Sequence, residues 1–276
     1  MGPYDARVNF VSQFARHYLL AVQFFTRIPV TGPLAGWVGF SPAMLRASAA
    51  HFPGVGWLVA AVACSVYAAV ALLLPASAFT PLAAAVACTI ATVLLTGGFH
   101  EDGLADVTDG LGGSSQRERA LQIMKDSRVG AFGAMALALA LLAKVSLLAV
   151  LGSQGLAVAA AALVGAHVGS RFFPLVLVRA LIHVGDADGS KSKPLADQIT
   201  TPALAVAALW CVLPLGLAGW ALGMAPVAAG VLAGAAALLW IGRLFARRLQ
   251  GFTGDCLGAT QQVCEIAFYF GAAAAL

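Results

Sequence analysis

The chain has 276 residues, of which 61% are hydrophobic and only 10% charged, with a mean hydropathy of +0.89 and a formal net charge of +4. Soluble domains run at about 45–50% apolar and about 25% charged residues, so this composition excludes an ordinary soluble fold. It points to an all-α integral membrane protein, and no stretch has the polar balance of a separate soluble domain. One membrane domain over residues 1–276 is expected.

Residues 1–51 read as a cytoplasmic or interfacial amino-terminal segment. Asp5, Arg7, Arg16 and His17 are scattered through its first half, and no short apolar core precedes a small-residue cleavage site, so the first span is expected to act as the targeting signal. Phe10–Phe25 should lie along the membrane surface as an amphipathic helix. A membrane helix needs about 20 mostly apolar residues. Seven stretches meet that need: 52–74, 79–99, 130–151, 155–183, 202–222, 224–241 and 258–276. Residues 99–129 read as an acidic loop and 185–198 as a polar one, with Asp186 and Asp188 in a solvated turn. The cysteines, Cys64, Cys88, Cys211, Cys256 and Cys264, form no CxxC pair and read as small apolar fillers.

The connections near 75–78, 152–154 and 223 carry no charge. The opposite ends of the spans carry Arg7, Arg16, Arg27 and Arg46, then Arg117, Arg119, Lys125 and Arg128, then Lys191 and Lys193, then Arg243, Arg247 and Arg248. Basic residues favour the cytoplasmic side. The expectation is a polytopic helical bundle of about seven spans in the cytoplasmic (inner) membrane, with its amino terminus and active site on the cytoplasmic face. The basic residues flank spans and form no stripe with aromatics, so no nucleic-acid partner is expected. The lipid bilayer is the expected partner, and a homo-oligomer is left open.

The sequence "GGFHEDGLADVTDGLGG" over 97–113 gathers Glu101, Asp102, Asp106 and Asp109, four of the chain's 12 acids. Asp102, Asp106 and Asp109 are spaced i, i+4, i+7 and would share an arc of roughly 60° on a helix. Carboxylates so placed repel unless a cation sits between them, and Mg²⁺ binds through oxygen ligands that include substrate phosphates. Asp126 in "MKDSRVG" adds a fourth candidate metal ligand, and Lys125 and Arg128 add charge suited to a phosphate. The sequence "GFTGDCLGA" over 251–259 repeats the frame of "GFHEDGLA": Gly98, Phe99, Asp102 and Leu104 match Gly251, Phe252, Asp255 and Leu257. Asp255 would then open the last helix, and Glu265 within that span is a functional candidate by default, with pairing to a base as its rival. His167, Arg171, Arg179 and His183 recur at four- or eight-residue spacing and would form a drifting polar stripe suited to a diphosphate. Lys144, also within a span, reads as a snorkelling residue.

Clustered carboxylates, a cationic stripe and glycines at a membrane surface suggest metal-assisted phosphoryl or phosphodiester transfer. Neither a GxxxxGK[ST] loop nor a GxSxG elbow is present, which disfavours ATP-driven work and serine hydrolysis. Together with "RERALQIMKDSRVGAFG" (117–133), "FFTRIPV" (24–30) and "FPGVG" (52–56), the acidic motif and "GFTGDCLGA" followed by Glu265 resemble the cobalamin synthase family, the adenosylcobinamide-GDP ribazoletransferases. Glu101, where an apolar residue is expected, and Gln261–Gln262, where an acid is, depart from the family pattern.

The resemblance implies transfer from adenosylcobinamide-GDP to α-ribazole or its 5′-phosphate, with release of GMP. It implies Mg²⁺ on Asp102, Asp106, Asp109 and Asp126, with Asp109 or Asp126 taking the hydroxyl proton. His100, Arg128, Arg171, Arg179, Asp255 and Glu265 are the expected substrate-binding residues. A CDP-alcohol phosphotransferase is the enzyme alternative, although Asp106 stands where its DGxxAR motif has arginine. A transporter, suggested by Lys144, Arg171 and Glu265 within spans, is the other.

Overall fold

The computed structural model describes residues 10–185 and 198–276, so Asp5, Arg7, Asp186, Asp188, Lys191 and Lys193 lie outside the described residues. The first helix, α1 (Phe10–Phe25), buries Leu20, Ala21, Val22 and Phe25 and leaves Val11 67% exposed, the one-sided pattern of an amphipathic helix. Two short helices follow, α2 (Gly32–Val38) and α3 (Pro42–Ser48). Each has proline in its first turn, where a missing N–H leaves nothing unpaired. Ser41 Oγ caps α3 by accepting from Met44 N at 3.1 Å. A 3₁₀ turn, Ala49–His51, leads into α4 (Phe52–Leu73).

The remaining helices are α5 (Thr80–Thr96), α6 (Phe99–Gly113), α7 (Arg117–Met124), α8 (Ala131–Ser153), α9 (Leu156–Ala180), α10 (Thr201–Leu222), α11 (Met224–Arg248) and α12 (Gly254–Ala274). The protein is all-α and polytopic. Five stretches are long and apolar enough to cross a membrane: Pro42–Leu73, Ala131–Ser153, Leu156–Ala180, Thr201–Leu222 and Met224–Arg248. Two of the seven expected spans do not qualify alone. The stretch at 79–99 passes only when α5 is joined to α6 across an 89° bend. The stretch at 258–276 belongs to α12, whose Asp255, Gln261, Gln262 and Glu265 lower its apolarity. By length and composition the described residues therefore hold five or six spans where about seven were expected.

Residues 99–129 are not a loop, as the sequence had suggested, but largely α6 and α7. Gly97 and Gly98 both take φ +69°, a left-handed conformation that side chains strain. They end α5 through Gly98 N donating to Val93 O at 2.9 Å and allow a new helix to start at once. The glycines of α6 weaken it intrinsically. Glu101 and Asp102 in its first turn and its packing across α12 offset that weakness.

Short connections make consecutive helices antiparallel. The starts of α4, α8, α10 and α12 therefore share one end of the bundle with the ends of α5, α9 and α11. The exterior is apolar: Leu139, Leu209 and Leu232 are 67%, 69% and 69% exposed, while Arg171, Gln261 and Glu265 are buried. This inverts a soluble fold and suits a hydrocarbon solvent, in which polar groups must be satisfied internally. Helix α12 packs against α6, α8, α9 and α11 and forms the axis of the bundle.

Candidate active site at one end of the bundle

The acidic motif meets α12 through two glycines. A Cβ on Gly103 would lie 2.7 Å from Asp255 O, and one on Gly258 would lie 3.2 Å from His100 Cα. Backbone therefore rests on backbone where α6 crosses the start of α12. This crossing brings Asp102 and Asp106 beside Asp255. The repeated frame is a structural fact as well: each copy opens a helix with an acid in its first turn, and the two helices pack together.

The three acids act on one another. Burial, then the charges of Asp255, Asp102 and Asp109, push Asp106 up to about 7. Burial also raises Asp255, with Asp102 adding to the rise and a hydrogen bond from Thr253 opposing it. Thr253 Oγ1 stands 3.3 Å from Asp255 Oδ2. No Lys, Arg or His among the described residues forms an ion pair with Asp102, Asp106 or Asp255. No three His, Cys, Asp or Glu side chains among the described residues converge closely enough to cage a metal. The trio is an open set of carboxylates, and it needs ligands from outside the chain to complete a cation's shell. Mg²⁺ commonly keeps waters and substrate phosphates beside one or two carboxylates, so the arrangement fits it.

The other expected site residues fall elsewhere. Asp109 turns from the trio to the start of α8, where its Oδ2 accepts from Gly130 N at 2.7 Å and its Oδ1 from Gly133 N at 2.8 Å. Both oxygens are thus engaged in capping a helix. Asp126 and Arg128 face solvent and hold each other: Arg128 Nη2 donates to Asp126 Oδ2 at 2.6 Å and Nε to Oδ1 at 2.9 Å. That pairing lowers Asp126 to about 2. His100 is buried, stacks on Phe52 with ring centroids 5.7 Å apart, and walls a small apolar cleft with Gly254 and Gly258. Arg179 lies at the end of α9 and lines a cavity of about 620 Å³ with His183 and Thr200.

Arg171 and Glu265 belong to the interior. Glu265 pairs with Lys144 Nζ at 2.6 Å and accepts from Gln261 Nε2 at 2.6 Å and Tyr269 OH at 3.3 Å, with His167 Nδ1 3.5 Å away. Lys144 is therefore an internal partner and does not snorkel. Arg171 Nη1 donates to His167 O at 2.7 Å, and its guanidinium stands 5.7 Å over the Phe52 ring. Glu101 and Gln262, which the sequence reading set apart from the family pattern, meet: Gln262 Nε2 donates to Glu101 Oε1 at 3.0 Å. Sequence reasoning read Gly103 as room for a close backbone approach, which the structure bears out, and missed the parts played by Gly258 and Lys144. A glycine within one turn of Asp255 was the available signal for Gly258; Lys144 offered none beyond its charge.

The fold and this face define a multi-pass membrane protein with an open carboxylate site where two helix starts cross. A family model described as cobalamin-5-phosphate synthase matches residues 17–273, and the chain belongs to that family. It is similar to proteins named adenosylcobinamide-GDP ribazoletransferase. One from Polaromonas sp. strain JS666 is 62% identical, covering 98% of this chain and 100% of that protein. One from Albidiferax ferrireducens is 60% identical over 96% and 100%, and one from Vibrio cholerae 39% identical over 91% and 91%. No solved structure matches the chain.

Proposed function

We propose that the protein transfers the adenosylcobinamide phosphate group from adenosylcobinamide-GDP to α-ribazole or its 5′-phosphate. A ribose hydroxyl oxygen bonds to the phosphorus on the cobinamide arm, the bond from that phosphorus to the GMP phosphate breaks, and GMP leaves. The hydroxyl proton passes to a carboxylate at this face. Family membership supports the reading. The observation that carries the site is the trio Asp102, Asp106 and Asp255, unpaired with any described base and held together where Gly103 meets Asp255.

Mg²⁺ bound there would screen the diphosphate and stabilise the departing phosphate oxygen. Asp102, the exposed member, faces incoming ligands, while Asp106 and Asp255 sit deeper. The crossing of α6 and α12 fixes the separation of the acids before any ligand arrives, which is the pre-organisation such transfer needs. Asp109 and Asp126 are left out of the metal set, since the first caps α8 and the second is held by Arg128. The basic residues at this end support placing it on the cytoplasmic side of the inner membrane.

The test is an assay of the purified protein in lipid with adenosylcobinamide-GDP, α-ribazole or its 5′-phosphate, and Mg²⁺, following GMP and cobalamin by chromatography. Product that disappears with EDTA and returns with added Mg²⁺ is expected. Absence of product from folded protein with both nucleosides would overturn the proposal.

A further inference from the structure

A second cavity, of about 510 Å³, opens at the same end of the bundle between α1, α3 and the start of α10. Phe14 forms an aromatic wall, and Gln13, His17, Arg46, His51 and Thr200 bring polar groups to it. No described carboxylate lines it, and Arg46 is exposed with no ion pair to any described acid. His51 is 3% exposed and its Nδ1 accepts from Trp210 Nε1 at 3.2 Å. A neutral imidazole whose Nδ1 accepts carries its proton on Nε2, so His51 is a fixed donor. Trp210 in turn stacks on Phe14 and Tyr18, with centroids 5.7 and 5.4 Å away, and His51 stands edge-on to Phe14 at 4.6 Å. Thr200 caps α10, whose first turn adds partial positive charge.

A rigid aromatic face, neutral donors and a guanidinium that pairs with no described acid suit a planar base carrying an anionic group. The volume lies in the range of small-ligand sites, roughly 300–1,000 Å³. That is room for a nucleoside monophosphate and far too little for a corrinoid. The 49–52 segment separates the cavity from a small cleft that lies near the acids. Ala50 and His51 line the cavity, while their chain neighbours Ala49 and Phe52 line the cleft that ends at His100 and Gly254, beside Asp255.

We propose that this cavity seats the attacking nucleoside, with its base against Phe14 and His51 and its 5′-phosphate on Arg46. The inference rests on the transferase reading above and adds a site to it. The test uses the full chain in phosphatidylcholine nanodiscs. Calorimetry follows α-ribazole 5′-phosphate alone, and the transfer assay gives KM for the phosphorylated and free nucleosides. Arg46→Gln should weaken binding and raise KM for the 5′-phosphate at least tenfold, while KM for α-ribazole stays within twofold. Phe14→Ala should raise both. Equal effects of Arg46→Gln on the two nucleosides, or none on either, overturn the assignment. So does displacement of the titrated nucleotide by GMP, which would make the cavity the guanine nucleotide's. Loss of binding when phosphatidylglycerol replaces part of the lipid would give the cavity to a phospholipid headgroup instead. If wild-type protein makes no product, the transferase reading fails and the calorimetry alone decides the cavity; if Arg46→Gln makes product with unchanged KM values, only the cavity assignment fails.

Discussion

Asp255 and Glu265 share α12, yet their surroundings are opposite. Glu265 lies in the bundle interior, where Lys144, Gln261 and Tyr269 all meet its carboxylate. Asp255 lies at the helix start, where Asp102, Asp106 and the Thr253 hydroxyl are among its neighbours. The same contrast divides α6: Glu101 is buried and accepts from Gln262, while the next residue, Asp102, is exposed. A charge inside a membrane bundle must be neutralised by the chain itself, because no water or ion reaches it. At the bundle end, water can hold the charge, and in the proposed function a cation would take its place. Paired acids hold the helices in register; unpaired ones are left for a ligand.

The largest effect should come from breaking the paired region. Lys144→Ala leaves the Glu265 carboxylate buried without its cation, which should cost about 3–5 kcal/mol in unfolding experiments in detergent. A stability unchanged within error would mean the pair is not formed. In the unpaired region Asp255→Asn should leave the melting temperature near wild type and cut turnover at least about 100-fold, the scale of removing one pre-organised electrostatic group. Retained activity in that variant would remove Asp255 from the metal set.

Asp109 sharpens the boundary between the two regions. An asparagine has one accepting oxygen for the two N–H groups of Gly130 and Gly133. Asp109→Asn should therefore cost about 1–3 kcal/mol of stability, with activity falling only as far as folding does. A collapse of turnover at full stability would restore Asp109 to the catalytic set.

The trio should also leave a mark on stability against pH. Asp106 keeps its proton in the folded chain up to about 7, whereas an ordinary aspartate loses it near 3.8. The folded state then binds more protons across that window, so stability should fall as pH rises through it in magnesium-free buffer. Added Mg²⁺ should flatten the fall. A stability that climbs with pH over the same window would contradict the crowding of these acids. The smallest effect is reserved for the exposed pair: Asp126→Asn should leave the melting temperature within error of wild type and leave Mg²⁺ dependence as it is.

Much of the membrane architecture was legible in the chain. Long apolar runs need a hydrocarbon solvent whatever their tertiary partners, and charge-free short connections force antiparallel neighbours, so the spans at α4, α8, α9, α10 and α11 followed from local pattern. The acid spacing in α6 and its echo at Asp255 were visible for the same reason: periodicity is a property of sequence. The destination of each acid was not. Asp102, Asp106 and Asp109 lie on one helical face, but α12 covers one end of it and the start of α8 the other, and only that division separates an open carboxylate from a helix cap. Lys144 and Glu265, far apart in sequence, became partners because α8 and α12 pack together, and Gly103 mattered because another backbone lies against it. Composition and period decide which solvent a segment needs and which residues share a face. Which charges are answered and which stay open depends on contacts between distant segments, and those exist only once the bundle has closed.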